Sequence, residues 1–179
     1  MAYVMSTFLL MTALLMPPDR EARNFRLRTL DGERITLSQF HGQVLLMHFW
    51  ATWSTASQTP LKRLEALQAK YLARGFRVLA VSVDDRAKQA GDFVRQHQIG
   101  LQVAHDRKGR VAASYRVETI PSTFLIDRDG RIRVIYRGRL QDSFADMVRQ
   151  VEKLLDEQST TKNKKLTSSF ANLVLGDWP

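Results

Sequence analysis

The sequence predicts an α/β domain: a mixed central β-sheet with helices on both faces and an N-terminal β-hairpin. Three observations lead there. A continuous apolar run stands at 44–50, and further strand segments at 76–83 and 122–127; such a run has the length and pattern of a strand buried on both faces. Stretches with helical spacing of apolar residues lie between them. Asp31-Gly32 and Asp129-Gly130 each separate two short extended segments, and that dipeptide favours a hairpin turn.

Taken in order, 25–30 and 34–37 form the first hairpin around Asp31-Gly32. The run Val-Leu-Leu-Met-His-Phe-Trp at 44–50 is the first fully buried strand. A helix follows, with Leu61, Leu64, Leu67 and Tyr71 on one stripe, and Gly75 ends it. Residues 76–83 are the second buried strand, 85–98 a helix stopping near Gly100, 103–106 a short extended piece and 110–115 a brief helix. Strands at 122–127 and 131–136 flank the second Asp-Gly turn. The last helix, 141–155, turns Phe144, Met147, Val148, Val151, Leu154 and Leu155 inward. Crossover helices between buried strands imply parallel pairing, and the Asp-Gly turns imply antiparallel pairing. No repeat and no internal boundary interrupts this region, so 25–157 is assigned as one domain.

Composition limits the chemistry. The chain has 179 residues, 44% hydrophobic and 25% charged, a globular balance. It has no cysteine, which excludes disulfides, thiolate zinc sites, iron–sulfur clusters and any thiol redox cycle of its own. His41, His48, His97 and His105 are scattered, without metal-ligand spacing. No metal site and no cofactor is expected, and no phosphate loop or catalytic carboxylate pair is visible. His48, inside the apolar run, reads as a hydrogen-bonded core residue.

Net charge is +9 and unevenly spread. The segment 107–139 holds nine basic and three acidic residues, whereas 141–157 has five acids and two bases. A basic excess speeds encounter with acidic partners. No nucleic-acid reading motif accompanies it, so nucleic acid is not expected. Arg131, Arg133 and Arg137 fall along the second hairpin, where charge guards an edge strand against unwanted pairing.

The ends differ from the middle. Residues 1–16 carry no charge and stop at Pro17-Pro18. The run is shorter than the ~20 residues of a spanning helix and lacks a basic start and a small-residue cleavage site. A signal peptide or membrane tether over 1–18, a docked N-terminal element and a free apolar tail all stay open. Residues 158–179 read as a polar linker and a short apolar tail containing Phe170 and Trp178, either a frayed end or a docking segment for a partner.

Three sequence pieces fit one pattern: Phe49-Trp50-Ala51-Thr52-Trp53 between a buried strand and a helix, Val81-Ser82-Val83-Asp84 after the next strand, and Ile120 through Gly130, reading IPSTFLIDRDG. Together they resemble the TlpA/ResA-type thioredoxin-fold family, extracytoplasmic thiol–disulfide oxidoreductases of bacteria. The resemblance covers about 25–155 and implies a thioredoxin-like fold and a periplasmic or membrane-anchored location. In that family the FWATW segment is followed by Cys-x-x-Cys at a helix N-terminus, where the helix dipole favours the attacking thiolate. Here Ser54, Thr55, Ala56 and Ser57 stand there, with Ser54 and Ser57 at the two cysteine positions. A serine hydroxyl cannot form a disulfide, so no catalytic residue is assigned, and Ser54 is expected to cap the following helix. The family's acidic position after the second cysteine holds Pro60, and its helix-proline position holds Lys62. The proton-relay acid is therefore missing, and any proline kink shifts about half a turn toward the helix start.

The resemblance further implies that Pro121 is the family's cis-proline and that the residue before it, Ile120, offers backbone to an extended client, a mode that requires no sulfur. Trp53, Thr55, Ala56, Ile120 and Pro121 are the expected binding residues, with Trp50 completing an apolar rim. The leading expectation is a redox-inactive TlpA-like protein that binds extended segments of a protein or peptide partner, with an acidic one favoured by the charge. Two alternatives stay open: a disulfide reductase represented by a double Cys-to-Ser variant, and a structural or assembly domain whose groove is unused.

Overall fold

A computed structural model describes residues 20–157; the leader at 1–18 and the linker and tail at 158–179 lie outside the described residues. The elements run β1 (Arg20–Glu21), β2 (Arg26–Thr29), β3 (Arg34–Thr36), β4 (Val44–Trp50), α1 (Thr55–Gln58), α2 (Leu61–Tyr71), β5 (Phe76–Ser82), α3 (Ala87–Gln96), β6 (Gln102–His105), α4 (Arg110–Ser114), β7 (Ser122–Ile126), β8 (Arg131–Arg137) and α5 (Phe144–Asp156). They build one sheet in the order β1-β8-β7-β4-β5-β6-β2-β3. The pairs β4–β5 and β5–β6 are parallel, and the rest are antiparallel.

All seven residues of β4 are buried, because helices cover both of its faces. Val44, Leu46 and Trp50 face α2 and α5, packing with Leu64, Leu67, Met147 and Val151. Leu45, Met47 and Phe49 face the other way, onto α4 and the first hairpin, with Val111, Tyr115, Leu27 and Ile35. The period-2 alternation of side chains along the strand feeds two cores at once. The α2 stripe is the expected one, with Leu61, Leu64, Leu67 and Tyr71 all buried. Gly75 closes the segment with φ +84°, a conformation glycine adopts without a Cβ penalty.

Four features differ from the sequence expectation or add to it. Strand β1 is two residues long, pairs with Arg131–Ile132 of β8 and carries no period that would announce it. The helix after β4 is split: α1 ends at Gln58, Thr59 and Pro60 form a turn, and α2 begins at Leu61. Trp50 is fully buried against Phe93, ring centroids 5.3 Å apart, so it belongs to the core and not to an exposed rim. Arg133 is not a bare edge guard, because its guanidinium pairs with Asp127 at 3.1 Å and Glu157 at 2.8 Å.

Candidate functional site

The site lies at the C-terminal end of β4, where the chain turns from Trp50 through Thr52 and Trp53 into α1. Antiparallel pairing sets Ser122 opposite Phe49 and Thr123 opposite His48. The start of β7, and the Ile120–Pro121 bond just before it, therefore lie beside this turn. That bond is cis. The Pro121 carbonyl accepts the Gly138 N–H at 2.9 Å, tying the loop to the end of β8.

His48 fastens the two halves together. It is wholly buried and points toward α1. Its Nε2 lies 3.0 Å from the Ser57 carbonyl, and its Nδ1 lies 2.8 Å from Thr123 Oγ1. A carbonyl only accepts, so Nε2 carries the proton and the Thr123 hydroxyl donates to Nδ1. Burial holds the imidazole neutral, lowering its pKa from 6.5 to about 4 against the opposing effect of the Ser57 carbonyl. The core role expected for His48 is met, by partners 9 and 75 residues away.

The two serines behave differently. Ser57 is buried. Its hydroxyl lies 2.7 Å from the Ser54 carbonyl and 3.1 Å from the Ala51 carbonyl, and it accepts the Ala51 N–H at 3.1 Å. Ser54 occupies the N-cap position of α1, but its side chain makes no capping bond, contrary to expectation. With φ −114° and ψ 95° it stays extended while its carbonyl receives the Ser57 and Gln58 N–H groups. Trp53, beside it, is 67% exposed. Ala56 and Ile120 are half-buried, Thr55 is exposed and Pro121 is buried.

A second anchor was not foreseen. Asp84, just past β5 and almost wholly buried, accepts the Thr52 N–H at 2.9 Å, the Thr52 hydroxyl at 2.7 Å and the Ser82 hydroxyl at 2.8 Å. Its own carbonyl accepts His105 Nε2–H at 2.7 Å. An acid two residues past a largely buried strand is the signal that could have pointed there, since a buried carboxylate needs donors. Among the described residues no group of three His, Asp or Glu converges as metal ligands.

A helix springing from the central parallel strand, with a cis X-Pro loop beside its first turn, defines a protein of the thioredoxin-like fold. The chain belongs to the AhpC/TSA family, whose description fits residues 18–135. It is 32% identical to the thiol-disulfide oxidoreductase ResA of Bacillus thuringiensis subsp. konkukian over 113 residues, 63% of this chain and 65% of that protein. The match thus spans just under two thirds of the relative's length. The thioredoxin-like protein YneN of Bacillus subtilis is also 32% identical, over 68% of this chain and 72% of its own. A Chlorobium tepidum structure described as a thiol:disulfide interchange protein DsbE superposes with a TM-score of 0.74 at 31% identity, covering 78% of this chain and 99% of that one. A secreted thiol-disulfide isomerase from Corynebacterium glutamicum shares the fold, with a TM-score of 0.69 at 23% identity. No helix among the described residues is long and apolar enough to cross a membrane.

Proposed function

We propose that this protein is a redox-silent member of its family that binds an extended segment of a partner polypeptide across the start of α1 and the Ile120–Pro121 loop, outside the cytoplasm. The observation that carries this reading is the contrast at the two cysteine-equivalent positions. Ser57 is sealed and uses its hydroxyl to hold the turn together, whereas the outer side keeps an exposed indole at Trp53. An exposed tryptophan costs solvation without contributing to the core, and aromatic anchors of this kind dominate polypeptide interfaces. A hydroxyl committed to its own backbone is no nucleophile, and among the described residues no base is hydrogen-bonded to Ser54 Oγ. Pro60 favours this reading over a double Cys-to-Ser variant: exchanging two sulfurs leaves the neighbouring acid in place, but here that position also has no carboxylate.

Binding is tested with labelled extended peptides, and chemistry with dithiothreitol-driven insulin reduction. The expected result is no turnover above the uncatalysed rate. Peptide affinity should fall by roughly tenfold in Trp53→Ala, with thermal stability unchanged. Turnover by the purified protein would overturn the proposal, as would peptide binding indifferent to Trp53.

A further inference from the structure

At the far side of the same sheet end, β2 and β6 part company. Their pairing covers Arg28↔His105 and Thr29↔Ala104 and stops there. Arg26 and Leu27 pair with β3 alone. In the fork lies a cleft of about 510 Å3. Arg26, Arg28 and Arg34 edge it from the hairpin, and Arg107, Lys108 and Arg110 from the loop into α4. All six are exposed, and among the described residues none has an ion-pair partner. Arg28 spends one N–H on the Gly32 carbonyl at 3.1 Å. The one acid in the lining, Asp106, is committed to the Ala112 N–H at 2.8 Å. The floor is apolar, with Leu27 and Val111.

The register adds an independent observation. Arg34 sits directly across from Arg28, and Arg28 directly across from His105. Cross-strand partners have Cβ atoms ~5 Å apart, so the like charges of Arg28 and Arg34 repel. A free protein gains nothing from this arginine pair, whereas a bound anion would relieve it. The cleft also joins the proposed groove. Trp50, Ser82 and His105 stand abreast in β4, β5 and β6, and the cis-proline loop leads into β7 on the other side of β4. From β7 to β6 is three strand spacings, roughly 15 Å, about five residues of extended chain.

We propose that this fork is a second subsite for the acidic flank of the polypeptide segment that binds at Trp53 and Ile120. The inference rests on the peptide-binding reading above. A small inorganic anion would use the cations but leave the apolar floor empty. An extended chain with acidic and aliphatic side chains uses both, and it can lie along the unpaired inner edge of β2.

The test measures fluorescence anisotropy of three labelled peptides: an apolar extended segment, the same segment followed by a Glu/Leu flank, and a copy with Gln for Glu. Each is titrated into the wild type, Arg28→Glu/Arg34→Glu, Trp53→Ala and the distant Lys153→Glu. The Glu/Leu peptide should bind about tenfold tighter than its Gln copy at low salt, with the difference shrinking as salt rises. The double arginine variant should abolish that difference while melting close to wild type, because it exchanges one exposed like-charge pair for another. Lys153→Glu should keep it. Equal affinity for the Glu and Gln peptides, or an acidic preference that survives in Arg28→Glu/Arg34→Glu, would overturn the proposal. So would polyphosphate or single-stranded DNA competing better than the acidic peptide. An acidic preference intact in Trp53→Ala, with the apolar peptide also unaffected, would instead sink the groove and leave the cleft standing.

Discussion

Two regions share one end of the sheet and are built on opposite rules. Beneath α1, buried polar groups are tied to one another: His48 joins Thr123 to Ser57, and Ser57 closes the turn onto Ala51 and Ser54. In the β2–β6 fork, six cations face solvent with no ion-pair partner among the described residues. Buried polar groups left unpaired cost ~1–3 kcal/mol each, so the first region reads as a device for holding shape. Surface cations contribute little to folding, so the second adds nothing to the fold and is free to serve recognition. The lesson is that serine at both positions leaves the site well held. Its inner half is structural, and the surfaces around it are open.

The largest expected effect that separates these regions is a response to acid. The folded-state pKa of His48, about 4, lies below its ordinary 6.5, so the unfolded chain binds the extra proton first. Stability is fully present above pH 6.5 and declines as pH falls toward 4. The difference amounts to roughly 3 kcal/mol, a lowering of Tm by about 6–12 °C. Denaturant titrations across that range should show the slope. His48→Asn, which cannot titrate, should flatten it. A wild-type curve as flat as the variant's would show that the buried imidazole does not hold the site.

Next in size is the serine pair. Ser57→Ala strips the Ala51 N–H of its acceptor in a buried turn and should cost about 1–3 kcal/mol. Ser54→Ala removes a hydroxyl with no cap bond and should cost less than about 0.5 kcal/mol. Comparing the two midpoints by calorimetry checks the asymmetry directly. Equal losses would mean that inner and outer positions are structurally equivalent.

Much of the fold was legible because it rests on local pattern. The apolar run at 44–50 is β4 residue for residue, and the α2 stripe follows from four side chains at helical spacing. What escaped is what depends on pairing between distant segments. Strand β1 is too short to carry a period and exists because β8 offers it an edge. His48 could be read as a core residue, but its partners lie on two other elements. Trp50 stands beside the expected rim residues in sequence, yet strand alternation turns it toward Phe93. The charge excess of 107–139 was visible, but half of the cations in the cleft come from 26–34, and only the fold brings the two sets together. Within 107–139, Arg133 is absorbed by two carboxylates, and Arg128 binds the carbonyls of Gly42 and Arg74.

The central claim is that a fold shared with thiol–disulfide oxidoreductases here captures polypeptide without sulfur. Equilibrium binding of one extended client, prepared with its cysteines intact and with every cysteine replaced by serine, tests it most directly. Equal affinity for the two forms, lost in both when Trp53 is replaced by alanine, is the predicted result. Binding that disappears with the client's cysteines would contradict it.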